Sequence, residues 1–269
     1  MQRNKSWRGK PRLGQHFLAD AEACRIIVEA AHIAPGAHVV EIGPGKGALT
    51  ALLTAQADRL TLVEPDRELA SRIASQNPRA EIIGEKGEDV DYSLLPGPLT
   101  VVSNLPYYAS VHIFKHLTQH KANIRAMVLM FQKEVAQRIS ATPGGRHYGS
   151  LSAWSGYHWE MEQVLAVPPS AFVPPPKVES AVVRFLPRAM PPVRGDETEL
   201  FRLVRTSFTQ KRRTLKNNLK GIYSPESVEA AFGSAGLHPN VRAEEVSLER
   251  FAAMAPLLHQ IGEPLETDS

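Results

Sequence analysis

Short apolar runs alternate, along the first half of the chain, with segments whose apolar residues recur every three or four positions. Because many of the runs are rich in β-branched residues, they are typical of strands buried on both faces. Strands are predicted at 38–42, 59–63, 80–83, 99–104 and 126–131. Helices are predicted at 20–31, 48–57, 66–76, 111–120 and 133–140. Strands that alternate with helices form βαβ units, so the pattern predicts an α/β fold with a parallel sheet.

The second half of the chain has a different pattern. Two more strands are predicted at 164–167 and 178–185. Residues 187–195 are rich in Pro and Arg, as in a linker. Beyond it, helices are predicted at 196–210, 212–223, 225–235 and 248–260. The sequence therefore predicts a large domain over 1–187, with a basic arm at 1–12, and a small helical domain over 188–269.

A polar turn follows the predicted strand 99–104, at the edge of the sheet where open α/β folds bind their ligands. The side-chain oxygen of Asn104 and the backbone carbonyl of Leu105 can each accept a hydrogen bond from an exocyclic adenine amine. Together they favour a pyramidal nitrogen with an available lone pair. Pro106 stiffens the turn, and Tyr107 offers a face for an unstacked base. The turn alone is also compatible with an ordinary proline-containing loop.

A glycine-rich motif, Glu41-x-Gly43-x-Gly45-x-Gly47, lies between a predicted strand and a predicted helix. Its glycines let the backbone approach a ligand closely, but they also fit a loose dinucleotide-binding pattern. Either ligand needs an acidic residue at the end of the next strand for its ribose hydroxyls, and Glu64 is in that position. Hydride transfer has no use for an amine-binding turn. The combination therefore favours an amine methyltransferase that uses S-adenosylmethionine.

The composition restricts the class and the compartment of the protein. The chain has 269 residues, a net charge of +3 and one cysteine, Cys24. A single cysteine excludes an intramolecular disulfide and is typical of a reducing compartment. No apolar run approaches the roughly 20 residues that a membrane helix needs. We therefore expect a cytoplasmic protein without a membrane partner.

Basic residues are concentrated in a few segments outside the predicted pocket. They are Arg146, Lys211, Arg212, Arg213 and Lys216. Such clusters suit phosphate contacts, although a solvated helix face is the alternative. Because the same chain carries a predicted adenine pocket, we expect it to bind folded RNA and to take up an unstacked adenosine.

Three histidines, His112, His116 and His120, have a metal-binding spacing. No Cys or carboxylate completes a site, so no metal is expected.

Several ordered motifs resemble the ribosomal RNA adenine dimethyltransferase family, along nearly the whole chain. They are Gly14-Gln15-His16-Phe17-Leu18, Glu41 to Thr50, Val63 to Arg67, Asn104 to Tyr107, Gln132 to Ala136, Ala171 to Val178, and Phe208 with Lys211 to Leu219. The resemblance implies a Rossmann-like class I methyltransferase sheet with a small C-terminal helical domain. It also implies dimethylation of N6 on two adjacent adenosines, in a hairpin loop near the 3′ end of small-subunit (16S) rRNA.

The resemblance further implies roles for individual residues. Those implied at the S-adenosylmethionine site are Gln15, His16, Leu18, Gly43, Gly45, Glu64 and Asn104. Phe172 is implied as a second aromatic face, opposite Tyr107 across the target adenine. A buried core position is the alternative for His16, and a structural role before the proline run is the alternative for Phe172.

One segment departs from the family pattern. The family usually has an Asp after the third strand, which accepts a hydrogen bond from the adenine amine of the cofactor. Strand register places Lys86 there, and a lysine has no acceptor. If Gly87-Glu88 is the motif instead, Glu88 supplies a carboxylate one methylene longer. The sequence is compatible with either Lys86 or Glu88 at the position of the family's Asp, and Glu88 is the candidate contact to the cofactor adenine.

Other functions are compatible with the same features. The chain could dimethylate large-subunit rRNA, although the basic helical tail favours the small-subunit type. Related turns serve DNA and protein amide methyltransferases. The protein could also act chiefly as a ribosome-assembly factor whose binding matters more than methylation. For the small-subunit function we expect a monomer that acts on a precursor of the small ribosomal subunit, without a protein partner.

Overall fold

A computed structural model describes residues 16–258 of the chain. The predicted basic arm and Gln15 lie outside the described residues. Contacts divide the chain into two compact units. The first unit includes residues 16–133 and Gln163–Arg184, and the second includes Glu134–Glu162 and residues 185–258. The second unit therefore takes in a segment from the middle of the chain, and a domain boundary after residue 187 stays a prediction.

Strands and helices alternate in the first half of the described residues, and the last four helices follow one another without a strand between them. The strands are β1 (Phe17–Leu18), β2 (His38–Ile42), β3 (Arg59–Val63), β4 (Glu81–Ile83), β5 (Leu99–Asn104), β6 (Ile124–Gln132), β7 (Trp159–Val167), β8 (Phe172–Val173) and β9 (Ser180–Pro187). The helices are α1 (Ala21–Ala30), α2 (Ala48–Gln56), α3 (Arg67–Gln76), α4 (Ser110–Gln119), α5 (Lys133–Ile139), α6 (Ser150–His158), α7 (Glu197–Ser207), α8 (Leu215–Leu219), α9 (Pro225–Ser234) and α10 (Leu248–Met254). None of the helices between residues 16 and 258 is long and apolar enough to span a bilayer.

Seven strands form one sheet in the order β4-β3-β2-β5-β6-β9-β7. The pairs β2–β3, β3–β4, β2–β5 and β5–β6 are parallel, which confirms the predicted α/β class. Every residue of β2 is buried, as expected for a central strand that is covered on both faces. The carboxyl ends of β2, β3, β4 and β5 meet at one edge of the sheet.

Two parts of the fold were not predicted, the helix α6 and the pair of short strands β1 and β8. The helix α6 has no apolar stripe, because its buried residues include Ser152 and Ser155 as well as Ala153. A search for helical periodicity therefore does not find it. The two-residue strands β1 and β8 pair with each other, with Leu18 opposite Phe172. Such short strands have no pattern of their own.

The second unit contains the late helices, and its core includes Phe201, Val204, Phe232 and Phe251. The helix predicted at 212–223 is wrong in its extent, because α8 has five residues. Thr214 caps α8, and its hydroxyl accepts a hydrogen bond from the backbone amide of Asn217. Lys211, Arg212 and Arg213 consequently lie in the exposed loop before α8 and not on a helix.

Asn218 fixes this basic loop. Its buried side-chain amide donates to the carbonyl of Ser207 at 2.7 Å and to the carbonyl of Gln210 at 3.2 Å. These carbonyls lie at and just beyond the end of α7, where no further helical turn supplies donors. One side chain therefore satisfies two backbone acceptors of the loop.

We expect the substitution Asn218→Ala to lower the free energy of unfolding by about 1–3 kcal/mol, because the carbonyl of Ser207 loses its side-chain donor and the carbonyl of Gln210 keeps only the amide of Arg213. The matched control is Asn217→Ala, since Asn217 is the exposed neighbour on the same short helix. It should change the free energy by less than about 0.5 kcal/mol. Urea denaturation of both variants measures the difference. Equal effects of the two substitutions would contradict this role of Asn218.

Candidate active site

A cavity in the first unit lies at the carboxyl edge of the sheet, where the ends of β2, β3 and β5 and the loop after β4 come together. Most of the predicted site residues line it. They are His16, Leu18, Gly43, Gly45, Glu64, Glu88, Asn104, Leu105, Pro106 and Tyr107. The structure therefore brings the glycine loop and the polar turn, which are separated by about sixty positions in the sequence, to one cavity.

The register of three neighbouring strands places the key residues at the same level. Ile42 is opposite Val63, and Glu41 is opposite Val102. Continued by one position past Ile42 and Val63, and by two positions past Glu41 and Val102, the same register aligns Gly43, Glu64 and Asn104. The amide of Gly43 donates to the carbonyl of Val63 at 2.9 Å, so the alignment continues past the end of β2.

Asn104 is oriented by its side-chain amide. The Nδ2 group donates to the backbone carbonyl of His16 at 3.4 Å. Because Nδ2 donates to another part of the protein, Oδ1 is the side-chain atom that can accept a hydrogen bond from a ligand. Just before it, the hydroxyl of Ser103 donates to the carbonyl of Ile42 at 2.5 Å and ties the end of β5 to the end of β2.

The turn after Asn104 is closed by hydrogen bonds to its own carbonyls. The amide of Ala109 donates to the carbonyl of Pro106 at 3.0 Å, and the hydroxyl of Ser110 donates to the carbonyl of Tyr107 at 3.2 Å. Two of the carbonyls of the turn are thus used internally, which makes the turn a fixed platform at the start of α4.

Tyr107 is held in place at both ends of its side chain. Its hydroxyl is 2.6 Å from the hydroxyl of Ser180, and its ring centroid is 5.8 Å from that of His16. Burial raises the pKa of the Tyr107 hydroxyl, so the group is a neutral phenol at physiological pH. Nδ1 of His16 lies 2.8 Å from the carbonyl of Pro174. His16 is half-buried at the cavity wall and is not a core histidine.

Phe172 is placed differently from the other predicted residues. It lies in β8 and is only 2% exposed. Among the described residues, it is not part of the cavity wall, and it packs in the core of the first unit. Its role as the second face for the target base stays a prediction.

The glycine loop has left-handed backbone conformations that favour glycine. Gly43 has φ of +67° and Gly45 has φ of +55°. A Cβ atom at Gly45 would lie 3.0 Å from the ring of Phe17, which covers the loop. The ammonium of Lys46 lies 4.6 Å from the centroid of the same ring. Phe17 was not predicted as a site residue, because only the folded structure shows what covers the loop.

Two buried carboxyl groups face the cavity. Glu64 directly follows β3, and its Oε1 accepts a hydrogen bond from the amide of Asp66 at 3.0 Å. Glu41 accepts a hydrogen bond from the hydroxyl of Thr50 at 2.6 Å. Burial raises the pKa of Glu41 to about 8, with a further contribution from the charge of Glu64. Glu41 belongs to the glycine motif but was not predicted as a site residue.

The segment after β4 brings both open candidates to the cavity, since Lys86 and Glu88 line it. The carbonyl of the intervening Gly87 accepts a hydrogen bond from the hydroxyl of Tyr92 at 2.9 Å. The side chain of Lys86 is exposed, and Glu88 is half-buried. Of the two side chains, only Glu88 has an acceptor for an amine.

The predicted RNA-binding residues lie on the second unit. Arg146 and the loop 211–213 are exposed, and the contact between the rings of Tyr148 and Phe208, with centroids 5.9 Å apart, links their two segments. Lys216 is ion-paired with Glu229, so part of its charge is neutralised within the protein. The roles of these residues in RNA binding stay predictions.

The spaced histidines on and after α4 make other contacts. Nε2 of His116 lies 2.7 Å from the carbonyl of Val90, and Nδ1 of His120 lies 3.6 Å from a carboxylate oxygen of Asp91. Within residues 16–258, no group of three or more His, Cys, Asp or Glu side chains is arranged to hold a metal ion.

The raised pKa of Glu41 predicts how stability changes with pH. Because the folded pKa of about 8 is above the ordinary 4.5, the folded protein binds this proton more tightly than the unfolded chain. The contribution is complete below pH 4.5 and is lost as the pH rises through 8. Relative to Glu41→Gln, the unfolding free energy of the native protein should fall by about 1 kcal/mol per pH unit between roughly pH 5.5 and 7.5. Urea denaturation across this range measures it, and parallel pH profiles would contradict it.

The chain is similar to known proteins over nearly its whole length. Residues 7–260 match a family model described as ribosomal RNA adenine dimethylase. A curated relative from Acidobacterium capsulatum, named ribosomal RNA small subunit methyltransferase A, is 46% identical over 93% of this chain and 91% of its own length. A relative of the same name from Chromobacterium violaceum is 39% identical over 94% of this chain and 97% of its own length.

A solved structure is also similar to this chain over nearly its whole length. The crystal structure of the 23S rRNA methyltransferase ErmE is similar, with a TM-score of 0.69 and 27% identity. The match covers 90% of this chain and 99% of ErmE. Because the family model and the relatives extend over nearly the whole chain, the resemblance seen in the sequence motifs is confirmed. The chain belongs to the ribosomal RNA adenine dimethylase family.

Proposed function

We propose that this protein transfers methyl groups from S-adenosylmethionine to N6 of two adjacent adenosines near the 3′ end of small-subunit rRNA. The observation that carries the proposal is the level alignment of Gly43, Glu64 and Asn104 in one cavity. This alignment puts a nucleotide-binding loop and an amine-binding turn within reach of one another. Direct methyl transfer needs such proximity between donor and acceptor.

The cofactor side of the cavity is formed by the ends of β2, β3 and β4. S-adenosylmethionine, when bound, supplies an electrophilic methyl group on a sulfonium cation. The backbone at Gly43 and Gly45 can approach it closely, and the carboxylate of Glu64 can accept hydrogen bonds from ribose hydroxyls. Glu88 can accept a hydrogen bond from the adenine amine. The carboxyl of Glu41 also lines this cavity, and a cationic ligand would favour the ionised form of this group.

The acceptor side is formed by the turn after β5. Oδ1 of Asn104 and the carbonyl of Leu105 accept the two hydrogen bonds of the N6 amine, which favours a pyramidal nitrogen with an available lone pair. The base lies against Tyr107, with Phe172 as the proposed second face. Bound S-adenosylmethionine would supply the methyl group, with its sulfur as the leaving group, and these residues would hold the amine while its proton passes to water. The residues act by binding and orientation, and no strong base is needed.

The second methyl transfer uses the same acceptors. After the first transfer, N6 carries one hydrogen, so one of the two hydrogen bonds is lost. The amine must then rotate so that its lone pair again points toward the cofactor. A rigid turn with two alternative acceptors, Asn104 and Leu105, permits this rotation within the same pocket.

The substrate assignment to small-subunit rRNA is supported by the names of the curated relatives. ErmE is a 23S rRNA methyltransferase, so large-subunit rRNA is the alternative that an experiment must distinguish. Exposed cations at Arg146, Lys211, Arg212 and Arg213 are suited to phosphate contacts with a folded rRNA. We propose that the chain acts as a monomer in the cytoplasm, on a precursor of the small ribosomal subunit.

Incubation with S-adenosylmethionine and small-subunit rRNA, followed by mass spectrometry of nucleosides and fragments, tests this function. The native protein should produce dimethyladenosine at two adjacent positions. We expect Asn104→Ala to lower turnover by at least about 100-fold, because the amine loses a positioned acceptor in the transition state. Its circular dichroism spectrum should remain that of the native protein.

The surface substitution Asn217→Ala is the control for this experiment. It removes the same type of side chain, but at an exposed residue of the second unit that does not line the cavity. Native turnover in Asn104→Ala would refute the assigned role of the turn. Dimethyladenosine in large-subunit rRNA, and none in small-subunit rRNA, would refute the proposed substrate.

The contact to the cofactor adenine can be tested with three variants. Glu88→Ala should weaken binding of S-adenosylmethionine by about 10-fold, because the adenine amine loses its acceptor. Glu88→Gln retains a side-chain oxygen and should have a smaller effect. Lys86→Ala, at the alternative position, should bind with native affinity. Isothermal titration calorimetry measures all three, and a loss confined to Lys86→Ala would contradict the role of Glu88.

A further inference from the structure

A groove adjoins the active-site cavity along α4. Glu88 and Tyr108 line both the cavity and the groove, so the two are continuous. The remaining walls of the groove are Ala109, His112, Lys115, His116 and Gln119. The methyl-transfer chemistry described above uses none of these five residues.

Tyr108 is the aromatic residue at the junction. It is 71% exposed, which is unusual for a large side chain, and it directly follows Tyr107 in the chain. The hydrogen bonds of Ala109 and Ser110 to the turn hold the backbone on the far side of Tyr108. A second aromatic face therefore lies next to the one assigned to the target adenine, at the junction of the cavity and the groove.

The groove also carries positive charge. Lys115 lies on the exposed side of α4, one turn after the exposed His112. Within residues 16–258, Lys115 has no ion-pair partner, in contrast to Lys216. Glu88 is the acidic residue of the groove wall, and the proposed function assigns it to the cofactor. The ammonium of Lys115 is thus available to an anion.

We propose that this groove binds the RNA nucleotide adjacent to the adenosine in the cavity, with its base on Tyr108 and its phosphate near Lys115 and His112. An exposed aromatic face beside a cation is the combination that binds single-stranded nucleic acid without reading its sequence. The continuity of groove and cavity is what selects an RNA strand as the occupant. This inference rests on the proposed function and adds a subsite to it.

The subsite has a consequence for the product. Two adjacent adenosines are modified, so while one is in the cavity its neighbour needs a position outside. Tyr108 offers that position, and a shift of the strand by one nucleotide would move the second adenosine from Tyr108 to Tyr107 and place the next nucleotide of the strand on Tyr108. The groove would therefore hold the strand in either of two adjacent registers.

The test uses a synthetic RNA hairpin with the two adenosines in its loop. Tyr108→Ala should raise the KM for the hairpin by about 10-fold, and Tyr108→Phe should retain native KM, because stacking needs the ring and not the hydroxyl. Lys115→Gln should lower the slope of log Kd against log salt concentration by about 0.7, the value for one phosphate contact in a single strand. In all variants, kcat at saturating hairpin and the Kd of S-adenosylmethionine should stay native.

Arg72→Gln is the control for charge, since Arg72 is exposed on α3 and is not part of either wall. It should leave both the KM and the salt slope unchanged. A second probe removes the base from the nucleotide on either side of the adenosine pair. If Tyr108 stacks on such a base, one abasic hairpin should raise the native KM by about 10-fold and should have little further effect on Tyr108→Ala.

Three results would overturn the subsite. They are a KM for Tyr108→Ala within twofold of native, full additivity of the abasic and Tyr108→Ala effects, and a weaker affinity of Tyr108→Ala for the cofactor instead of the hairpin. Failure of the proposed function would look different, because the native protein would then make no dimethyladenosine. The Kd of each variant for the hairpin, measured directly, tests the groove even if no methylation occurs.

Discussion

The parallel register of β2 with β3 and β5 is the constraint on which the candidate site depends. Backbone pairing fixes Ile42 opposite Val63, and the Ser103 hydroxyl bond to the Ile42 carbonyl continues the alignment to the last residues of β5. A shift of one residue in either pair would turn every side chain of a strand to the opposite face. The glycine loop, Glu64 and Asn104 meet because this register is fixed.

Much of this architecture can be predicted from the sequence, for a physical reason. The central strands are covered on both faces, so they read as continuous apolar runs, and β2 and β3 match their predicted bounds. The helix α6 could not be predicted, since small and polar residues form its buried face. The extent of α8 was predicted wrongly because Thr214 caps the helix after Arg212 and Arg213, which the prediction had placed inside it.

Some residues of the site can be predicted from local sequence motifs, and others become apparent only when the fold brings them to the cavity. Residues carried by a local motif, such as Gly43 and Asn104, line the cavity as predicted. Glu41, Phe17 and Tyr108 also line it, but their contribution depends on which side chains the fold brings together. The sequence offers no signal for the raised pKa of Glu41, because burial causes it. Lys86 and Glu88 both reach the cavity, so strand register alone did not distinguish them.

The central claim is that the turn after β5 captures a flipped adenine by its amine and presents the nitrogen to an activated methyl group. The most direct measurement is a crystal structure of the protein with S-adenosylhomocysteine and the RNA hairpin. The account predicts N6 of the target adenine at hydrogen-bond distance from Oδ1 of Asn104, with the base against Tyr107 and the nitrogen facing the cofactor sulfur. An adenine bound away from the Asn104 turn, with its amine directed to other residues or to solvent, would contradict it.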